Sequence, residues 1–289
     1  MSQLSIKRIN NEDVKPVESV EVDKDKRPVA GASLFPEIYS NIFFCARKKS
    51  GKTCAIAHII DKCATKETRI IAFVATIHRD PTWRAIEQMC EKKGIEFTAY
   101  TSIKDTHTRE DILQSIVDVL KAEHEARLSG EDTEPQNTIA DLPTLGYEHD
   151  TIDIKRQRKP RKPKFKAPQI IFVFDDLSGE LKTPSLIELL KMHRHFKSKV
   201  IISSQYWNDI ALDGRKQIDY VLLFKGLGQS IAKLKEIYDN CDPPVSFEVF
   251  LDIYRFCTAE QFNFMYITRS GEFRKNFTFQ IGVPKELED

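Results

Sequence analysis

The chain has 289 residues, enough for one large domain or two small ones with a sizeable buried core. Its 44 Lys and Arg almost balance 43 Asp and Glu, so whole-chain charge points to no nucleic-acid partner, and any such argument must rest on local clusters. The first thirty residues contain no apolar stretch of a secretory leader, no run of 18 uncharged apolar residues marks a membrane span, and neither end matches a lipidation box, so no membrane association is expected.

Residues 1–30 are charged, with scattered apolar positions, and read as a tail; order is expected to begin near Leu34-Phe35-Pro36. Ile42 to Cys45 predicts a short buried strand, Lys52 to about Ala64 a helix, and Arg69 to Ala75 a second buried strand. Thr82 to Lys93 predicts a helix stopped by Gly94, Phe97 to Tyr100 a weaker strand, and Arg109 to Leu128 an amphipathic helix. From about 129 to 167 the character changes to an acidic stretch followed by a basic one, expected as an insertion within a domain spanning 31–289. Ile170 to Phe174 is the strongest buried strand. A helix over 185–195, strands over 200–204 and 220–224, helices over 230–240 and 247–256, and a closing hairpin of 262–268 with 273–279 complete the series. Apolar strands alternating with amphipathic helices point to an α/β fold with a central, mostly parallel sheet and helices on both faces.

Six cysteines (Cys45, Cys54, Cys63, Cys90, Cys241 and Cys257) form no C-x-x-C pair and are expected as reduced thiols. The histidines form no metal set, and Trp83 and Trp207 are expected to anchor packing.

Between the first strand and first helix lies Ala46-Arg47-Lys48-Lys49-Ser50-Gly51-Lys52-Thr53. A strand–loop–helix of this kind turns backbone N–H groups and the positive end of the helix dipole onto phosphate oxygens. Gly51 permits close approach, Lys52 would reach the β- and γ-phosphates of ATP, and the Thr53 hydroxyl would ligate Mg2+. The pattern G-x-x-x-x-G-K-[ST] wants Gly where Ala46 stands; Ala tolerates positive φ poorly, so the start of the loop is expected to differ slightly.

Asp175-Asp176 ends an apolar strand, where carboxylates of a parallel sheet meet a bound ligand. Asp175 is expected to hold Mg2+ and Asp176 to activate water, in the place where many ATPases use Glu; Glu180 is the fallback base. Gln205 ends the next apolar strand. If that strand lies between the two motif strands, its amide faces the γ-phosphate. The acidic-pair strand is otherwise expected next to the phosphate-loop strand, and Lys52 is expected to be partly exposed.

Lys155, Arg156, Arg158, Lys159, Arg161, Lys162, Lys164 and Lys166 put eight cations within twelve residues, held extended by Pro160 and Pro163. Contact with a duplex phosphate backbone, a targeting signal and a solvated loop are the three readings of this run.

The ordered set of Ala46 to Thr53, Ile171 to Leu177, and His193-Arg194-His195 followed by Val200 to Gln205 resembles the FtsK–HerA superfamily of genome-packaging ATPases, especially the poxvirus-type branch of large eukaryotic DNA viruses and their satellites. The resemblance covers about Leu34 to Lys225 and implies a RecA-like P-loop NTPase of the additional-strand type. It implies an ATP-driven pump that moves double-stranded DNA into a preformed capsid, working as a homo-oligomeric ring of five or six subunits against a capsid or portal vertex protein. It also implies a host cytoplasm, viral factory or virion setting, and an arginine lent by a neighbouring subunit, with Arg194 and Arg215 as candidates. The rivals are a cellular or plasmid DNA pump or helicase, a non-hydrolysing ATP-binding switch and, more weakly, a small-molecule kinase.

Overall fold

The computed structural model describes residues 25–105, 107–129, 164–177, 179–227 and 230–282. The expected tail up to residue 24 and most of the insertion, including Lys155, Arg156, Arg158, Lys159, Arg161 and Lys162, lie outside the described residues. No helix among the described residues is long and apolar enough to cross a membrane.

Six strands come first: β1 (Asn41–Cys45), β2 (Arg69–Val74), β3 (Glu96–Tyr100), β4 (Ile170–Asp175), β5 (Ser198–Ser204) and β6 (Tyr220–Phe224). The last three are β7 (Phe264–Thr268), β8 (Phe273–Lys275) and β9 (Phe279–Ile281). They form one sheet in the order β3-β2-β4-β5-β1-β6-β7-β8-β9. The pairings from β3 through β6 are parallel, and β7, β8 and β9 add antiparallel strands at one side. The 273–279 segment, expected as one strand, is split between β8 and β9. Asn276, at positive φ, turns the chain between them.

The helices are α1 (Lys52–Cys63), α2 (Pro81–Lys93), α3 (Ile112–Ser129), α4 (Pro184–Met192), α5 (Leu212–Arg215), α6 (Ile231–Cys241) and α7 (Phe247–Cys257). Local chemistry sets their ends. Asp80 caps α2 by accepting from Thr82 N, Pro81 occupies its first turn, and Gly94 closes it at φ 67°. Ser246 caps α7 in the same way through Val249 N.

Alternate residues of the central strands feed two cores. Ile42 and Phe44 of β1 join Ile56 and Ile59 of α1 and Trp83 and Ile86 of α2 on one face. Phe43 and Cys45 join Leu113 and Ile116 of α3, Leu186 of α4, Leu234 of α6 and Phe250 of α7 on the other. Strands covered on both sides must be apolar throughout, which is why β1, β4 and β6 read as continuous apolar runs instead of alternating ones.

Order at the amino end begins ahead of Leu34. Val29 bridges to Lys166, Ala30 N donates to the Lys166 carbonyl (2.8 Å), and Lys166 N donates to the Pro28 carbonyl (2.9 Å). Lys166 leads directly into β4, so the basic run joins the fold at the amino-terminal edge of the sheet. Asp175 closes the other end of β4, roughly 17 Å from Ile170 at about 3.3 Å per residue.

Lys199 of β5 is a buried cation. Its Nζ donates to Ser40 Oγ (2.7 Å) and the Glu37 carbonyl (3.1 Å) and stands 5.0 Å from the centre of the Phe35 ring. Burial drives its pKa down to about 8, against smaller raising pulls from Cys63, Glu37 and Asp219. Below pH 8 the ammonium is charged in both folded and unfolded chains, and the full cost of burying it is present. Between about 8 and 10.5 the unfolded chain binds the extra proton, so stability rises with pH by about 3 kcal/mol in total. Lys199→Met is expected to flatten that rise, as measured by denaturant unfolding at pH 7.5 and pH 10.5; an unchanged slope would exclude Lys199 as its source.

Candidate nucleotide site

The loop from Ala46 to Thr53 leaves the carboxyl end of β1 and delivers the chain into α1. Ala46 is buried, and its N–H donates to the Ser204 carbonyl of β5 (2.9 Å), extending the strand pairing by one residue. The left-handed positions of the loop are Lys49 (φ 62°) and Gly51 (φ 90°), and Ala46 is not one of them. The expected strain at Ala46 therefore does not arise, because a side chain is tolerated at a position with ordinary φ. At Gly51 it would not be. A Cβ there would lie 3.1 Å from a ring carbon of Phe262, and the backbone is already left-handed.

Lys52, expected to be partly exposed, is buried, with only 8% of its surface accessible. Its Nζ donates to Asp175 Oδ1 at 2.6 Å and also to Asp176 Oδ1. The loop and the acidic pair, 123 residues apart in sequence, thus meet in one ion cluster. Burial works against the charge on Lys52, but the two carboxylates outweigh it and hold its pKa above the usual lysine value.

The two aspartates differ in setting. Asp175 is 1% exposed, and burial pushes its carboxyl above the usual range against the pull of Lys52. Asp176 is the more open, with 28% of its side chain accessible, and takes a left-handed backbone (φ 58°), a conformation short polar side chains tolerate. Asp175 has a further partner that motif reading missed. Trp83, expected only as a packing anchor, is fully buried and donates its indole N–H to Asp175 Oδ2 at 3.3 Å. The signal was faint: an Asp80-Pro81 helix start directs the first turn of α2 toward the carboxyl edge, but nothing in the sequence fixes which strand it meets.

The acidic-pair strand does not lie next to the phosphate-loop strand, as expected; β5 separates them. Asp175 pairs in register with Ser203, and Cys45 with Ser204, so both motif strands end against neighbouring residues of β5. This insertion satisfies the condition attached to Gln205, which follows Ser204 directly between the two motif loops. Its carbonyl accepts from the Cys45 thiol (3.7 Å). The result is an α/β fold, as expected, with a central mostly parallel sheet and an additional strand between the two motif strands.

Other candidates fall elsewhere. Glu180 is engaged by Ser102 Oγ (2.8 Å) and Ile103 N (2.6 Å), which ties down the loop after β3. His193, Arg194 and His195 gather at the amino-terminal edge. His193 is buried and donates through Nδ1 to the Leu190 carbonyl (2.8 Å), Arg194 pairs with Asp219 (3.9 Å), and His195 lies against His124. Arg215 is 14% exposed and is held by the Ile210 carbonyl (2.8 Å) and Glu236 (3.1 Å) of its own chain. Lys164 is exposed, and Lys166 is half-buried in its bridge to Val29.

The residues fit a magnesium–triphosphate group. The hydroxyl of Ser50, in the loop, is buried with no hydrogen-bond partner among the described residues. No group of three or more His, Cys, Asp or Glu among the described residues is arranged around a metal. Magnesium at a phosphate loop needs no such group, since a hydroxyl, one or two carboxylates, waters and phosphate oxygens complete its shell.

No protein-family model and no curated protein sequence matches the chain. Solved structures do. The genome packaging NTPase B204 from Sulfolobus turreted icosahedral virus 2, in complex with ATP-gammaS, is 15% identical, with 82% of this chain and 96% of that one covered, at a TM-score of 0.47. The same protein in complex with AMP matches at 13% identity, 86% and 100% coverage and a TM-score of 0.49. Thermomonospora curvata EccC (ATPases 2 and 3) matches at 13% identity over 86% of this chain and 40% of that chain, with a TM-score of 0.42.

Proposed function

We propose that this chain binds ATP at the Ala46–Thr53 loop, hydrolyses it to ADP and phosphate, and spends the energy moving double-stranded DNA into a preformed viral capsid. The observation that carries the reading is the meeting of Lys52 with Asp175 and Asp176 at the carboxyl edge of the sheet. A buried cation shared by two carboxylates beside a backbone loop suits phosphoryl chemistry, in which positioning and charge compensation do most of the work.

In this reading Lys52 turns its ammonium to the β- and γ-phosphates, and the loop N–H groups hold the phosphate oxygens. Magnesium, held by the Thr53 hydroxyl and Asp175, would neutralise charge developing between the β- and γ-oxygens. Trp83 fixes the orientation of Asp175 from behind. Asp176, the more open carboxylate, accepts the proton of the attacking water. Gln205, which follows Ser204 between the two motif loops, would align that water and respond to loss of phosphate.

The DNA part of the proposal draws its support from the ordered motifs set out above and from the cationic run that joins β4. A homo-oligomeric ring of five or six subunits, set on a capsid or portal vertex protein, completes it. Of the two arginines, Arg194 has the more accessible side chain, 65% exposed against 14% for Arg215, and is the one assigned to a neighbouring subunit.

Phosphate release measured with and without duplex DNA tests the proposal. Turnover should be magnesium-dependent and rise with DNA. Reversing the charges of Lys155 to Lys166 should weaken DNA binding and its salt dependence, by about 0.9 in log–log slope per lost phosphate contact, while leaving DNA-free turnover in place. ATP binding without turnover under either condition would favour a nucleotide-operated switch instead.

A further inference from the structure

Phe262 lies in the turn before β7, in the last thirty residues of the chain, where no motif directs attention. It has two features that are unfavourable for a purely structural residue. Its backbone is left-handed (φ 68°), a conformation in which a bulky aromatic is an outlier, and 58% of its surface is exposed to water. Neighbouring hydrogen bonds hold it there. The Asn263 carbonyl accepts from Lys225 N (3.3 Å), Asn276 Nδ2 donates to Asn263 Oδ1 (2.9 Å), and Phe264 N donates to Asn276 Oδ1 (3.0 Å).

The turn places this ring against the phosphate loop. Phe262 Cδ1 and Cβ lie 3.1 Å and 3.5 Å from where a Cβ on Gly51 would stand. One part of the ring therefore packs on the Gly51 backbone, beside Lys52 and Thr53, and the rest remains open. A nucleotide whose phosphates sit in that loop carries its base outward on the sugar, and a base stacks favourably on a flat aromatic ring. We infer that Phe262 is the stacking platform for the nucleobase of the bound triphosphate. Stacking uses the face common to all bases, so this contact by itself favours any nucleoside triphosphate over an inorganic polyphosphate.

The inference rests on the proposed nucleotide site, and two probes keep the two apart. Dissociation constants for magnesium ATP and for magnesium tripolyphosphate would be measured by calorimetry on the full chain. Phe262→Ala should bind ATP about 10-fold more weakly with tripolyphosphate binding unchanged, and Phe262→Tyr should restore ATP binding. Equal ATP affinity in wild type and Phe262→Ala, or equal loss of both probes, would overturn the platform while leaving the phosphate site standing. Wild-type protein that binds neither probe would sink the phosphate site and the platform with it.

Discussion

Lys52→Ala is expected to abolish ATP turnover and also to unfold at a temperature lower by on the order of 10 °C. Both effects follow from the same two hydrogen bonds. Removing the ammonium takes away the cation aimed at the phosphates, and it leaves Asp175, almost wholly buried, facing Asp176 without compensation. Deleting one partner of a buried pair costs about 3–5 kcal/mol, because the remaining charge stays in a poor solvent. A second variant separates the effects. Lys52→Met combined with Asp175→Asn removes the stranded charge, so it should recover much of the melting temperature and none of the turnover. Calorimetric melting together with phosphate release checks both outcomes. A Lys52→Ala protein as stable as wild type would mean that the pair with Asp175 does not form in solution, and undiminished turnover would remove the phosphate-loop assignment.

Asp176→Asn is expected to give the opposite profile: a fall in kcat of about 100- to 10,000-fold, the range for loss of a general base, with ATP affinity and melting temperature close to wild type. Its carboxylate is the accessible member of the pair, so replacing it strands no buried charge and leaves Lys52 with Asp175. The amide is nearly the same size and suits the left-handed backbone at this position. Glu180 does not offer a replacement base, since Ser102 and Ile103 engage it in the loop after β3. Steady-state kinetics with a direct measurement of ATP binding separates the terms. A variant that loses ATP binding but keeps kcat would make Asp176 a binding residue and leave the base unassigned.

The parallel core was legible from residues whose burial leaves little choice. Ile170 to Phe174 is apolar on both faces, so it had to be a central strand, and Asp175 had to mark its end. Strand order was harder to read, because every central strand carries the same apolar pattern and neighbours are chosen by crossover geometry. That is why β4 was expected beside β1 when β5 lies between them. Ala46 was misjudged because a motif records which residue is common at a position and not which φ the chain adopts there. The burial of Lys52 escaped notice because lysines are usually exposed, and only a partner distant in sequence brings one inside. The role of Trp83 was only faintly signalled, since a tryptophan looks the same in sequence whether its N–H meets a carboxylate or nothing.

The run of β4 and β5 side by side has a mechanical consequence. At one end they carry Asp175 and Ser203; at the other, Gln169 N donates to the Lys197 carbonyl (2.9 Å), three residues beyond the point where Lys166 clasps the amino-terminal segment. Buried on both faces and bonded along both edges, such a pair cannot slip by less than a register step or bend without breaking its packing. Such a pair is expected to move as one stiff element. A displacement at the edge where Lys52 meets Asp175 would then be expected to emerge at the opposite edge, beside Lys166, without being absorbed by a loop on the way.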